Sequence, residues 1–570
     1  TQAMSLLNFP PPASSECSYS LQEFNGQILS GTRKQFDTLQ KSKFLSDYPQ
    51  LERSSLSKLQ HSLSRDDVKG AFRFRQSAAN ILKEITNENE HDVSEEGESV
   101  IGKAVLRVRN GIGMLSKMVS SDAPSTTTDY LDRYARTTNW SRAWLRCTAV
   151  DAVGGRIAVC QATDYIRIYP TGCSAQQQTP LTLHHAEMKN VAAMQFDPND
   201  ARLLAVAASS KVFVWRISSF SNGTKPSAQC IRVFDTRISP LSSIVWDVAW
   251  GNALIVASCA GSKIICIDLS TGEQSSLGAW FGGSVTSLYP CKDGTRIAVT
   301  YTSNVLRIYD RSTWTEEKLS GLQGRVTSVV WSPTAESLIF STEDGQSLFS
   351  LTFTSHTKTT EEGVKMTVWS SSSRPAPVYD LSPIEFDPME GASEQAVESG
   401  ELRPVTRIGG GARTLTLSPD GGRLAVTFAD RDTAGLIAVF IVDWSSKPAR
   451  LLPSGFIEAA FSGLPECVWF LPRFEAGAML AVSWSTGSVQ YVPLVYGGSP
   501  AAFALSVHPL VEATGSDTIL EESLGWLTGH EDSLASVELS ARLQGGDDGG
   551  ASPLLYTEIL RDKSAVGLEL

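Results

Sequence analysis

Two segments of this 570-residue chain have residue types and spacing that invite chemistry. Gly97-Glu98-Ser99-Val100-Ile101-Gly102-Lys103-Ala104 carries the glycine and lysine spacing of a phosphate-cradling loop. It ends in Ala104 where a Mg²⁺-binding Ser or Thr is needed, and residues 91–96 before it are polar and acidic where a buried strand should stand, so nucleotide binding is not expected. His184-His185, the adjacent pair among seven histidines, lies just ahead of an apolar β-rich run and reads as hydrogen-bonding turn residues rather than metal ligands. Nine cysteines (Cys17, Cys147, Cys160, Cys173, Cys230, Cys259, Cys266, Cys291 and Cys467) are odd in number and scattered, with no C-x-x-C pair. They suggest neither a disulfide framework nor zinc, and read as reduced core thiols of a cytosolic or nuclear-facing protein. With no G-x-S-x-G elbow, H-E-x-x-H pair or EF-hand loop either, the expectation is a protein that is not an enzyme, holds no cofactor or metal, and acts by binding.

The elements that would position binding residues follow from composition and pattern. Hydrophobic residues are 42% and charged ones 19%, enough apolar material for a large core and too little charge for a disordered chain or coiled coil. A net charge of −12 argues against a generic phosphate-binding surface. The apolar run Leu203 to Trp215 is broken by Ser209, Ser210 and Lys211, short of the ~18 residues that a spanning helix needs. The stretch Ser5 to Pro12 lacks the basic region of a signal peptide, so a soluble, non-secreted protein is expected.

From residue 144 onward one unit recurs seven times: an alternating strand, often an S/D-P or D-G turn, a second apolar strand, a polar turn, and a third strand ending in an aromatic or Asp. The third-strand residues Tyr169, Trp215, Asp268, Tyr309, Ser350, Phe440 and Tyr491 are spaced by 46, 53, 41, 41, 90 and 51. All but one spacing sits near the roughly 40–45-residue period of four-stranded propeller blades. The chain therefore reads as all-β, a seven-bladed WD-repeat-type β-propeller over residues 140–497. The gap of 90 holds one blade plus a Ser/Thr/Pro/Glu-rich insertion, expected as a long, partly disordered loop at 354–403.

Residues 1–35 form an N-terminal extension in which Asn25-Gly26 joins two alternating runs, the strongest short hairpin signal in the chain. Its strand is a candidate for completing the last blade and closing the ring, with a free-standing hairpin as the rival. Residues 36–139 are helical in pattern. Ile101, Val105, Val108, Ile112, Leu115 and Val119 share one stripe, and Lys103, Arg107, Arg109 and Lys117 lie off it. Such a basic amphipathic helix can meet an anionic membrane surface, a partner helix or the propeller flank; Gly111 and Gly113 weaken it in isolation and favour the flank. Residues 498–570, with Gly545-Gly546-Asp547-Asp548-Gly549-Gly550, read as a flexible tail.

Phe9-Pro10-Pro11-Pro12, the Asn25-Gly26 hairpin, Thr138-Asn139-Trp140-Ser141 leading into Leu145-Arg146, Trp280 to Thr286, and Leu480 to Gly487 together resemble the aladin family of WD-repeat nucleoporins. The resemblance spans about residues 5–30 and 138–496. The chain departs from strong WD repeats in that third strands end in Trp215-Arg216 or Tyr309-Asp310 and no Gly-His dipeptide opens a blade, which blurs the blade limits. The resemblance implies a scaffold subunit of the nuclear pore complex, held at the nuclear envelope by a transmembrane nucleoporin and other pore scaffold proteins. It would support nucleocytoplasmic transport of protein and mRNA without direct nucleic-acid contact, its membrane association being indirect with weak surface contact. Phe281-Gly282 is the single Phe-Gly dipeptide, so a barrier-forming repeat nucleoporin is excluded. Large aromatics outside the blades are the expected anchors for partners: Phe9, Trp140, Trp280 and Phe281. The competing readings are an adaptor of another assembly, such as a ubiquitin-ligase substrate receptor, and a propeller enzyme with carboxylates or histidines clustered in its channel.

Overall fold

The computed structural model describes residues 4–12, 19–51 apart from 43, 44 and 46, and 144–496 apart from 152, 154, 172–179, 219–225, 249–250, 279–282, 360–364, 373, 388–404, 431–432 and 459–462. The chain divides into two units, Thr1–Pro509 and Leu510–Leu570, and all described residues belong to the first. The expected basic helix at 101–119 and the tail lie outside them.

The chain begins with β1 (Met4–Ser5), a 3₁₀ turn at Leu6–Asn8, the hairpin β2 (Tyr19–Phe24) and β3 (Gln27–Gly31), and α1 (Arg33–Gln40). Asn25 and Gly26 have φ of 51° and 83°, the left-handed pair that a two-residue hairpin turn requires. Blade 1 comprises β4 (Leu145–Asp151), β5 (Arg156–Gln161), β6 (Ile166–Pro170) and β7 (Leu181–Leu183). Blade 2 is β8 (Val191–Phe196), β9 (Leu203–Ala208), β10 (Lys211–Ile217) and β11 (Ala228–Asp235). Blade 3 is β12 (Leu241–Trp246), β13 (Ala253–Ser258), β14 (Ile264–Asp268) and β15 (Gln274–Gly278). Blade 4 is β16 (Val285–Pro290), β17 (Arg296–Tyr301), β18 (Val305–Asp310) and β19 (Glu316–Ser320). Blade 5 holds β20 (Val326–Trp331), β21 (Ser337–Thr342), β22 (Ser347–Thr359), β23 (Lys365–Ser371) and β24 (Ala376–Asp380); a small hairpin, β25 (Ile384–Phe386) and β26 (Thr406–Ile408), follows. Blade 6 is β27 (Ala412–Leu417), β28 (Arg423–Phe428), β29 (Leu436–Asp443) and β30 (Arg450–Glu458), and blade 7 takes β31 (Pro465–Leu471), β32 (Gly477–Trp484) and β33 (Val489–Val495).

The seven first strands touch in a closed cycle, β4 to β8, β12, β16, β20, β27, β31 and back to β4, so the fold is a seven-bladed propeller about a central channel. Second strands such as β5, β13, β17 and β28 are buried along their whole length because each blade is sandwiched between two neighbours. That burial explains their continuous apolar runs. Third strands β14, β18 and β29 end in Asp268, Asp310 and Asp443, whose carboxylates accept the N–H two residues on, from Ser270, Ser312 and Ser445. The recurring Asp therefore closes the turn into the outer strand.

The expectation of a long loop at 354–403 is corrected over its described residues; 388–403 lie outside them. β22 runs out of the blade to Thr359 and pairs with β23 as a ribbon, and β24 then supplies the fourth strand of blade 5. Thr-rich alternation in Thr352–Thr359, and Thr367, Val368 and Trp369 in Lys365–Ser371, favour strands, which the Ser and Pro content of the segment obscured.

The N-terminal segment straps three blades. β1 adds in parallel to the outer edge of β24, and Tyr379 Oη donates to the Ser5 carbonyl at 2.8 Å. Further along, β2 adds in parallel to β33, with Glu23 opposite Leu494 and Phe24 opposite Val495, so the seventh blade receives its fourth strand from the start of the chain. Thr32 caps α1 in a reciprocal box with Gln35, and Gln40 Nε2 donates to the Tyr491 carbonyl at 2.8 Å, holding the helix beside β33.

Candidate functional site

The channel wall begins with a repeated irregularity. Each first strand carries a β-bulge at the same place, so Arg146, Ala192, Ser242, Thr286, Thr327, Arg413 and Glu466 occupy equivalent positions on the seven inner strands. The polar ones, with the residue after each bulge, stitch blade to blade. Thr327 Oγ1 donates to the Ala412 carbonyl at 2.9 Å, and Ser243 and Ser328 accept from the N–H of Leu288 and Leu415 at 3.2 and 3.1 Å. Cys467 Sγ donates to the Leu145 carbonyl at 3.6 Å, closing the last seam. Arg146 pairs with Asp164 at 2.5 Å, and the same carboxylate accepts the Val191 N–H at 3.0 Å. Glu466 accepts the Trp144 N–H at 3.2 Å. Burial pulls the Arg413 guanidinium below its usual pKa, yet its Nη1 still reaches the Pro465 carbonyl at 3.4 Å. These groups hold strands together, an arrangement suited to rigidity.

The other end of the inner strands is different in kind. Where β8, β12, β16, β20 and β27 run out into their turns, a cavity of about 480 Å³ opens, within the size range of ligand pockets. Tyr289, Pro290, Pro333 and Leu417 are half-buried in its wall, Pro419 and Lys292 are exposed, and Lys292 is the one charged side chain in the lining. Trp331 donates its indole N–H to the Tyr289 carbonyl at 2.8 Å and stacks on Phe353, which fixes the aromatic floor. The serines of the lining are engaged by backbone: Ser332 and Ser418 accept from the N–H of Ser337 and Arg423 at 3.0 and 2.9 Å.

Buried arginines at the start of second strands brace this face. Arg156 lies over Phe196 of the next blade. Arg296 is held among Phe353 and Trp369 at 4.3 Å and Trp331 at 5.3 Å, and it donates to the Ala335 carbonyl. Desolvation lowers its pKa. Arg423 lies over Tyr496 at 4.3 Å and makes a bidentate pair with the buried Glu23 of β2, its Nε 2.8 Å from both carboxylate oxygens.

Of the anchors expected from the sequence, Phe9 is 7% exposed and packs on Phe456, Phe440 and Tyr379 at 4.6, 5.0 and 6.1 Å, so its ring is taken up by blades 5 and 6 of its own chain. Trp140, Trp280 and Phe281 lie outside the described residues, as do Lys103, Arg107, Arg109 and Lys117. His184 stacks on Tyr165 at 4.8 Å, and His185 Nδ1 accepts the Glu187 N–H at 3.2 Å, which makes both turn residues. No group of His, Cys, Asp and Glu among the described residues could hold a metal ion, and no helix among them is long and apolar enough to cross a membrane. Sequence reasoning missed the cavity rim and the Glu23–Arg423 pair. The S/D-P turns contained the rim prolines and were read only as turn signals.

Residues 126–495 match the family described as the aladin seven-bladed propeller, a stretch that spans all seven blades apart from the strand β2 that completes the seventh. The chain belongs to the aladin family. A curated relative, aladin of Arabidopsis thaliana, is 24% identical over 347 residues, spanning 56% of this chain and 69% of the relative. Among solved structures, the β-propeller domain of Myceliophteria thermophila Cps50 (Swd1) is similar at 12% identity with a TM-score of 0.42, covering 61% of this chain and 96% of that one. Within the aladin frame, the strap, the stitched channel wall and the apolar mouth are the features that a binding role would use.

Proposed function

We propose that this aladin-family propeller is a non-catalytic scaffold subunit of the nuclear pore complex, docked at the nuclear envelope through a transmembrane nucleoporin and supporting nucleocytoplasmic transport. The observation that carries the reading is the match to the aladin propeller over residues 126–495. Two features support it. The polar groups of the inner strands are engaged in blade-to-blade bonds, which suits a rigid platform. The strap ties the start of the chain across blades 5 to 7, which makes the ring a closed unit for partners to grip.

The test is affinity purification of the tagged full chain from native nuclear envelopes, with imaging of the same cells. Recovery of pore-membrane proteins and a nuclear-rim signal is the expected result. Recovery of ubiquitin-ligase subunits without pore proteins would overturn the reading in favour of an adaptor of another assembly.

A further inference from the structure

The mouth of the channel has a composition that its structural role does not require. Pro290, Pro333 and Pro419 have no backbone N–H, so this stretch of rim offers no donors there. The hydroxyls of Ser243, Ser332 and Ser418 already accept from backbone N–H groups, and Gln195 Oε1 accepts the Trp246 N–H at 2.9 Å. A small polar molecule needs several convergent polar groups to orient it, and these serine and glutamine oxygens are already used within the fold. What remains is apolar surface from Tyr289, Leu417 and the prolines, with Lys292 beside it. Lys292 is exposed and has no hydrogen-bond or ion-pair partner among the described residues.

We propose that this mouth is a docking site for a short extended peptide of a partner protein, in which an apolar side chain enters the cavity and a neighbouring carboxylate meets Lys292. The inference rests on the scaffold reading and names where one partner is gripped. Charge complementarity selects the occupant: the lining carries one cation and no acid, so an acidic-apolar segment fits, and a basic segment is disfavoured. The mode is that of an anchor residue seated in an apolar pocket, with Lys292 at its edge. Rigidity suits the task, because Trp331 and Phe353 hold the floor in place before any partner arrives.

A displayed library of random octapeptides, panned against the purified full chain, tests the site. Enriched peptides should pair Asp or Glu with Leu, Ile, Phe or Trp. The synthetic consensus peptide should bind Lys292→Glu about tenfold more weakly and Leu417→Asp not measurably, both variants melting within a few degrees of the wild type. A lysine-for-acid version of the peptide should regain affinity for Lys292→Glu, an exposed substitution that leaves folding intact. Absence of enrichment, a consensus without that pattern, or equal binding by the variants would overturn the proposal. It also falls if a synthetic segment 498–513 of the chain itself displaces the peptide more strongly than the peptide displaces itself, or if Leu417→Asp lowers the mass of a self-associated form. Envelope recovery of the wild-type chain separates the two readings: rim staining without peptide enrichment sinks the mouth alone, whereas peptide binding at the mouth in a chain absent from the rim leaves the site standing and sinks the pore assignment.

Discussion

Blade 4 and blade 7 complete the same four-stranded sheet by opposite means. Blade 4 is one continuous stretch whose outer strand β19 pairs antiparallel with β18 over five residue pairs, from Val305–Ser320 to Tyr309–Glu316. Blade 7 borrows β2 from the start of the chain, and the joint to β33 is parallel and two residue pairs long. A ladder that short cannot hold a strand by itself, so side chains must. Glu23 is buried against Arg423, Ser20 Oγ accepts the Glu458 N–H at 3.1 Å, and Gln490 Nε2 donates to the Ser20 carbonyl at 3.1 Å. Ile28 packs where only Gly455 leaves room, since a Cβ there would stand 2.9 Å from it. Local closure rests on backbone, and distant closure on buried polar specificity.

The strongest way to break this comparison is Glu23→Leu, which leaves the Arg423 guanidinium buried without its partner. A loss of ~4 kcal/mol is expected, with the hairpin becoming protease-sensitive, since removing one member of a buried pair is far more damaging than losing the pair as a unit. A loss below ~1 kcal/mol in denaturant titration would return the joint to the backbone. Next comes Phe9→Ala, which empties an aromatic site between blades 5 and 6 and should cost ~3 kcal/mol, read by the same titration. In blade 4, Glu316→Gln weakens the contact to Arg307 at 2.6 Å, and because Glu316 is partly exposed the expected loss is only ~1 kcal/mol. A larger loss there than for Glu23→Leu would invert the comparison.

The smallest effect near neutral pH concerns buried thiols. Burial pushes Cys291 in blade 4 up to about 11 and Cys467 in blade 7 up to about 12. The folded state holds these protons more tightly than the unfolded one, whose thiols ionise near 9, so stability falls as pH rises above about 9 and is unaffected below it. Melting temperature should therefore stay level to pH 8.5 and decline beyond. Cys291 is buried and Cys467 only half-buried, so a thiol reagent at pH 10 should reach Cys467 first; labelling of Cys291 first would show blade 4 opening more readily than blade 7.

The parts of this fold that were legible are those whose burial is two-sided. Ile297–Val299 or Leu424–Val426 can only be a strand between blades, so the second strands and the count of seven follow from runs of Val, Ile and Ala. Outer strands were harder to read. Leu181–Leu183 is three residues long, Glu316–Ser320 is mostly polar, and Ala376–Asp380 lies in a Ser- and Pro-rich insertion that masked it. In Tyr19-Ser20-Leu21-Gln22-Glu23-Phe24 the acid looks like a solvent-facing residue of a hairpin, and its arginine stands 400 positions away. The mouth was invisible for the same reason. Pro290, Pro333 and Pro419 are separate turn residues until three blades bring them to one rim.

The borrowed strand also sets the order in which this molecule can be finished. Glu23 and its neighbour opposite, Leu494, are 471 residues apart, and at roughly 5–20 residues per second a ribosome takes about 24–94 s to make the span between them. Throughout that interval the hairpin is already synthesised, with Leu21 and Glu23 exposed to water, while the blades accumulate one by one beside it. Ring closure thus waits until β33 has been made, and for about a minute a nascent chain presents an unpaired edge on its hairpin.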